Sequence, residues 1–316
     1  MTTSADGQDP DSQDEQAHPA RAEALNLPLA GMAALLRRTP TAGLALTIAA
    51  IAVLLGACGN EKSDSPSGSY IAVAAGGDHS CGISEDNAMH CWGEAWDNMG
   101  WALNLAGSYT AVSAGVGYAC GLRNDGPSLC WGDNFQAGVD PPPGRFTAIS
   151  VGASQSCGIR DSGTLQCWGN VAGGPDPPPP PEGAFTAISV GWGPASCGLQ
   201  GDGTAMCWGG DGWEAPPEGA FSAITVGSSH ICGLGNDGTA QCWGDNADGQ
   251  SDPPLSHYTG IAAGAGFTCG IRDDQTVRCW GRGGVVDAPG DRFIALSAGL
   301  NHACGLRDDN KVRCWD

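Results

Sequence analysis

Fourteen of the chain's 15 cysteines fall into seven pairs, each with nine residues between its members. The pairs are Cys81/Cys91, Cys120/Cys130, Cys157/Cys167, Cys197/Cys207, Cys232/Cys242, Cys269/Cys279 and Cys304/Cys314. Their first members follow one another at intervals of 39, 37, 40, 35, 37 and 35 residues. Every second member is followed by tryptophan: Trp92, Trp131, Trp168, Trp208, Trp243, Trp280 and Trp315. A period of this length marks a repeat architecture, in which each unit is too small to bury a core alone and stacks on its neighbours. The 51 glycines and 21 prolines would suggest low complexity without a period, but here they recur within it.

Within a pair the residues read as strand, turn, strand, as in Cys157-Gly-Ile-Arg-Asp-Ser-Gly-Thr-Leu-Gln-Cys167. Five positions after the first cysteine stands Asp86, Asp125, Ser162, Asp202, Asp237, Asp274 or Asp309, followed by Gly or Asn in six units. Gly and Asn tolerate the positive φ that such a hairpin turn requires, so Gln275 in the sixth unit is expected to be strained. A turn centred there sets the two cysteines opposite each other at a non-hydrogen-bonded pair, with Cα atoms expected about 4.5–5.5 Å apart, within disulfide reach. Zinc favours two to four residues between cysteines, and this hairpin leaves no third and fourth ligand. Free buried thiols are the other alternative. So many cysteines fit an oxidising compartment, since the cytosol keeps thiols reduced.

Ahead of each pair lies an alternating aromatic, small and aliphatic segment ending in glycine, such as Phe146-Thr-Ala-Ile-Ser before Gly152. That alternation suits a half-buried strand. Each unit thus supplies about three to four antiparallel strands. The expected fold is an all-β, seven-bladed β-propeller with one C-x9-C disulfide hairpin per blade, which closes on itself and protects its edges. The recurrent tryptophan is expected to pack between neighbouring blades.

The unit F-T-A-I-x-x-G-x-x-x-S-C-G-L-x-x-D-G-T-x-x-C-W-G resembles the repeat of the regulator of chromosome condensation family, over residues 70–316. It is also similar to bacterial secreted relatives, including a β-lactamase-inhibitory propeller with short three-stranded blades. The resemblance implies the propeller fold. Its eukaryotic members are nucleotide-exchange factors for a small GTPase and dock on chromatin, but no residues here match an exchange wedge. The histidine usual in the repeat, as in Gly77-Asp78-His79-Ser80, gives way to Tyr118, Gln155, Pro194 and Phe267.

Upstream, residues 42–57 form an uncharged, mostly apolar run preceded by Arg37 and Arg38. Sixteen residues are short for a membrane span and suit a signal-peptide core. Leu55-Gly56-Ala57-Cys58 resembles a bacterial lipobox, which implies lipidation of Cys58. An uncleaved signal anchor is the alternative. Residues 1–31 are acidic and polar, so Met32 is an alternative start. The expected organisation is residues 1–57 as extension and lipoprotein signal peptide, 58–69 as lipidated cysteine and flexible tether, and 70–316 as propeller. The lipoprotein resemblance, with Gly59 rather than Asp after the lipidated position, implies the outer membrane or cell surface.

From Cys58 onward there are 11 Lys and Arg against 28 Asp and Glu, a net charge of −17. Such a surface repels phosphate backbones, so no nucleic-acid partner is expected. There is no G-x-S-x-G, H-E-x-x-H or meaningful carboxylate pairing, so no catalytic residue, metal or cofactor is expected. Asp245-Asn-Ala-Asp-Gly-Gln-Ser-Asp252 lacks the ligand spacing of a calcium loop and reads as a solvated turn. The prolines at 177–181 read as a stiff spacer. What recurs in every unit is scaffold, so function is sought where units differ. Loop aromatics are natural anchors for a protein or glycan: Trp96, Trp101, Tyr118, Phe135, Trp192, Trp213 and Phe267. The functional expectation is a monomeric, lipid-anchored envelope module that binds a protein or glycan, inhibition being one form of such binding. A structural envelope protein and an exchange-factor-like regulator are the alternatives.

Overall fold

In the computed structural model the described residues are 67–93, 105–124, 126–132, 140–169, 179–210, 215–282 and 287–316. They belong to one compact unit spanning residues 60–316. Cys58 and the apolar run at 42–57 lie outside the described residues.

The described residues form seven antiparallel sheets of three strands each, all in sequence order. Blade 1 consists of an inner strand Tyr70–Ala75, a middle strand His79–Ser84 and an outer strand Met89–Gly93. The inner strands of blades 2 to 7 are Tyr109–Ala114, Phe146–Val151, Phe185–Val190, Phe221–Val226, Tyr258–Ala263 and Phe293–Ala298. Three strands per blade is the lower end of the expected range. The inner strand of blade 1 packs beside the inner and middle strands of blade 7, which closes the ring. The structure is a seven-bladed β-propeller.

All seven cysteine pairs are disulfides, one per blade: Cys81–Cys91, Cys120–Cys130, Cys157–Cys167, Cys197–Cys207, Cys232–Cys242, Cys269–Cys279 and Cys304–Cys314. In each, the two cysteines are direct partners across the middle and outer strands. Their Cα atoms are 4.0–4.1 Å apart. That corrects the 4.5–5.5 Å expected from unbridged strands, because the sulfur bridge draws the two backbones together at this pair. The first cysteines are buried on the middle strands. Of their partners on the outer strands, Cys130 and Cys279 are buried, while Cys91, Cys167, Cys207, Cys242 and Cys314 are half-buried. Each bond ties the outer strand, which pairs within its sheet with the middle strand, to its blade.

Each blade has two unlike faces. One carries the first cysteine and the aliphatic residue two positions on; the other carries the aromatic that opens the inner strand, together with the tryptophan. The faces meet between blades. Cys304, Leu306 and Val312 of blade 7 cluster with Tyr70 and Trp92 of blade 1, and Cys314 packs against them. Cys197 and Leu199 of blade 4 cluster with Phe221 and Trp243 of blade 5. Six of the seven tryptophans, all but Trp208, pack in clusters of this kind between blades, as their recurrence suggests. Two glycine positions permit this packing. A Cβ on Gly121 would stand 2.7 Å from the Tyr109 ring, which lies across it, and one on Gly76 would stand 2.6 Å from the carbonyl of Gly115 in the next blade.

A belt of hydroxyls joins the inner strands. The amides of Ala75, Val151, Val190, Val226 and Ala263 donate to Ser297, Ser113, Ser150, Ser189 and Thr225 of the preceding blade, at 2.9–3.0 Å. Ala74 and Ala262 occupy the hydroxyl position in blades 1 and 6.

Candidate ligand-binding site

A cavity of about 220 Å³ occupies the centre of the ring. Its walls are inner strands with small side chains, among them Ala75, Ser150 and Ser297, and Trp192 lines it from a loop of blade 4. Trp192 follows the strand-ending Gly191 and is half-buried. Its amide donates to the Gly227 carbonyl of blade 5 at 3.2 Å, which holds the loop against the next blade.

Tyr118 and Phe267 are placed differently from the expectation. They open the middle strands of blades 2 and 6 and are 2% and 1% exposed. The Tyr118 hydroxyl bonds Ser156 Oγ of blade 3 at 3.1 Å, and burial pushes its pKa up to about 12. Phe267 packs with Cys269, Cys279, Ala298 and Ala303. Neither is presented to a ligand, because strand pairing aims the residue two before the first cysteine into the blade interface. Trp96, Trp101, Phe135 and Trp213 lie outside the described residues.

The same repeat position holds polar connectors between blades. His302 of blade 7 bonds Ser80 Oγ of blade 1 at 2.9 Å. His230 of blade 5 bonds Thr268 Oγ1 of blade 6 at 2.8 Å. Gln155 of blade 3 accepts from Ser196 of blade 4 at 3.2 Å. In blade 4 the pairing of Cys197 with Cys207 puts Ala195, not Pro194, at this position. Ala195 and Phe267 precede blades whose facing residues are Ile231 and Ala303. Part of the signal was in the sequence: each Ser or Thr just before a first cysteine faces a hydrogen-bonding residue one repeat earlier, whereas His79 faces Ala119. Burial drives the pKa of His230 down to about 4, against an opposing pull from Asp245.

The turn at 245–252 is more than solvated. Gln250 is 1% exposed and bonds Asp245 Oδ2 at 2.8 Å, while its carbonyl accepts from Trp280 Nε1 at 3.0 Å. The turn seats that side chain between blades 5 and 6. A second cavity, of about 430 Å³, lies between blades 2 and 3 and is lined by Arg123, Asn124, Arg145 and Asp161. No group of three or more His, Cys, Asp or Glu that could hold a metal ion occurs among the described residues.

The family model for the regulator of chromosome condensation repeat matches residues 70–99, 221–250, 258–285 and 293–315. Four segments of the chain thus match the regulator of chromosome condensation repeat. The matched segments are blades 1, 5, 6 and 7 of the ring, and blades 2 to 4 share their three-stranded pattern and disulfide. No curated protein matches the chain significantly in sequence. Among solved structures, it is similar to the CRINKLY WD40 ectodomain of the receptor kinase ACR4 from Arabidopsis thaliana. The identity is 26% and the TM-score 0.66, covering 78% of this chain and 96% of that one. The entire ectodomain of the receptor kinase CR4 from Physcomitrella patens is 27% identical with a TM-score of 0.68, covering 78% and 73%. Prp20p from Saccharomyces cerevisiae, described with its binding to Gsp1p and histones, is 14% identical with a TM-score of 0.60, covering 78% and 82%, and shares the fold.

Proposed function

We propose that this repeat ring is a binding module of the cell envelope, tethered through a lipid on Cys58, that captures a protein or glycan. Its recurrent residues are spent on scaffold: disulfides, interface tryptophans and the hydroxyl belt leave no chemistry repeated around the ring for a reaction. Binding rather than catalysis is the reading that fits. The observation that carries it is Trp192, an aromatic on a loop at the central cavity at a place where no other repeat has one. The similar ectodomains are parts of receptor kinases, which supports a role outside the cytoplasm. Inhibition of a captured enzyme is one form of such binding.

Crosslinking on intact cells, followed by identification of the captured molecule, tests the reading. Trp192→Ala should weaken specific capture at least about tenfold, the usual loss at a binding hot spot. A chain that captures nothing, with wild type and variant alike, is a structural envelope protein instead. Accelerated nucleotide release from a small GTPase would favour the exchange-factor reading.

A further inference from the structure

The second residue of every inner strand sits at a β-bulge, shown by the register shift between Tyr70 and Ala72 in blade 1. In five blades this residue is hydroxylated and donates across to the middle strand. Thr110 reaches the Leu122 carbonyl at 3.4 Å, Thr147 that of Ile159 at 3.2 Å and Ser222 that of Leu234 at 3.1 Å, with Thr186 and Thr259 bonded likewise. Blades 7 and 1 break the pattern with Ile294 and Ile71, which are 51% and 48% exposed. These two blades are neighbours in the ring, with their inner strands side by side. Two large apolar side chains thus stand at one height on adjacent blades, where the rest of the ring presents hydroxyls.

Both isoleucines lie at the end of the blade that holds the hairpin turns, because Tyr70 pairs with Ser84 just before the turn at Glu85. The chain enters the ring at the same place. The carbonyls of Gly68 and Ser69 accept from Lys311 Nζ of blade 7 at 2.9 Å and from the amide of Glu85 at 3.2 Å. Eleven residues, 59–69, separate Cys58 from Tyr70. At about 3.3–3.6 Å per residue a lipid on Cys58 holds this end of the ring within roughly 40 Å of a bilayer.

Charge around the patch agrees. Its carboxylates have nearby cations or donors: Arg307 meets Asp309 at 3.0 Å, Arg292 approaches Asp308 at 3.9 Å and Asn310 bonds Glu85 at 3.0 Å. Asp86 in the neighbouring turn is held by Ser84. By contrast, residues 161–271 contain 11 Asp and Glu and no Lys or Arg. The repulsion an anionic bilayer would meet is concentrated away from Ile71 and Ile294.

We propose that Ile71 and Ile294 form a lipid-docking edge, by which the tethered ring rests its blade 7 and blade 1 seam on the bilayer and turns the acidic blades 4 and 5 away from it. Two half-exposed isoleucines bind membrane weakly alone. A lipid anchor raises their effective concentration at the surface so that weak contacts suffice to orient the ring. The proposal rests on the anchor reading of Cys58, so the two are tested separately.

Full-length lipidated protein carrying Ile71→Cys, Ile294→Cys or Thr186→Cys is labelled with an environment-sensitive fluorophore and reconstituted in vesicles of phosphatidylethanolamine and phosphatidylglycerol. Labels at 71 and 294 should shift to the blue and lose at least about half their emission to doxyl lipids placed at shallow membrane depth. The label at 186, at the same repeat position in blade 4, should remain solvent-like and unquenched. Solvent-like labels at all three positions on a chain with acylated Cys58 would overturn the docking and leave the anchor standing. A blue shift without lipid quenching would mean a protein covers the patch, and would also overturn it. Mass spectrometry reads Cys58 directly, and an unacylated cysteine removes both readings.

Discussion

Gln275 turns its hairpin at φ 68°, where Asn87 and Asn310 have φ 64° and 63° and blades 3, 4 and 5 use Gly163, Gly203 and Gly238. An L side chain in the left-handed region costs roughly 1–2 kcal/mol unless it is Asn or Asp, whose short polar group bonds locally. Gln275 recovers part of that by accepting from Arg292 Nε at 3.0 Å. Gln275→Asn should raise stability by about 0.5–1 kcal/mol in urea unfolding, because it relieves strain without the unfolded-state entropy of glycine. The histidines give a second effect at this scale. Burial, with the charge of His302 adding to it, lowers His79 to about 4, and burial lowers His230 likewise, from an ordinary value of 6.5. Below pH 6.5 the unfolded chain takes up protons that the folded one refuses until near pH 4. Stability is therefore complete above pH 6.5 and lost as pH falls toward 4. Melting temperature should drop between pH 7 and pH 5. His230→Gln, which copies the polar connector of blade 3, should recover roughly 1–2 kcal/mol of the loss.

Between elements, the hydroxyl belt sets how one blade meets the next. Ser189 accepts from the Val226 amide at 3.0 Å, and Ser189→Ala leaves that part-buried donor without its partner, a loss of about 1–2 kcal/mol. The reverse applies where the belt lacks a hydroxyl. Ala262→Ser places Oγ where Ser189 and Thr225 have theirs, facing the Ala298 amide of blade 7, and should add about 0.5–1 kcal/mol. Denaturant midpoints of the two variants, moving in opposite directions, check both. The disulfides act within blades rather than between them. By constraining an 11-residue loop each contributes about 2.5–3 kcal/mol in the chain-entropy picture.

Across the whole ring the dominant long-range term is self-repulsion. A net charge of −17 from Cys58 onward, with 11 acids and no base between residues 161 and 271, destabilises the compact state at low salt. Raising sodium chloride from about 0.01 M to about 0.5 M shortens the screening length from roughly 30 Å to under 5 Å. The melting temperature should rise over that range, measured by circular dichroism at pH 7.5. A flat or falling response would mean that the ion pairs of blade 7, such as Arg313 with Asp291 at 2.8 Å, outweigh the repulsion. The closure of the ring belongs to this scale too. It is non-covalent, made by Ala75 to Ser297, Ser80 to His302 and the Tyr70 amide to the Asn310 carbonyl at 2.8 Å.

The cysteine spacing, the tryptophan after each pair and the Asp-Gly or Asp-Asn turns were enough to read seven hairpins, an all-β ring and tryptophans between blades. Those features act over ten residues or between identical units, so one repeat describes all. What the residues two before each first cysteine do was not legible unit by unit. Tyr118 and Phe267 read as ligand anchors and are buried, because only the packing of one blade on the next decides whether an aromatic faces solvent or a neighbour. Trp192 is held at the central cavity by the next blade, through the Gly227 carbonyl, and Ile71 stands on the blade beside that of Ile294 because closing the ring makes neighbours of strands more than 200 positions apart.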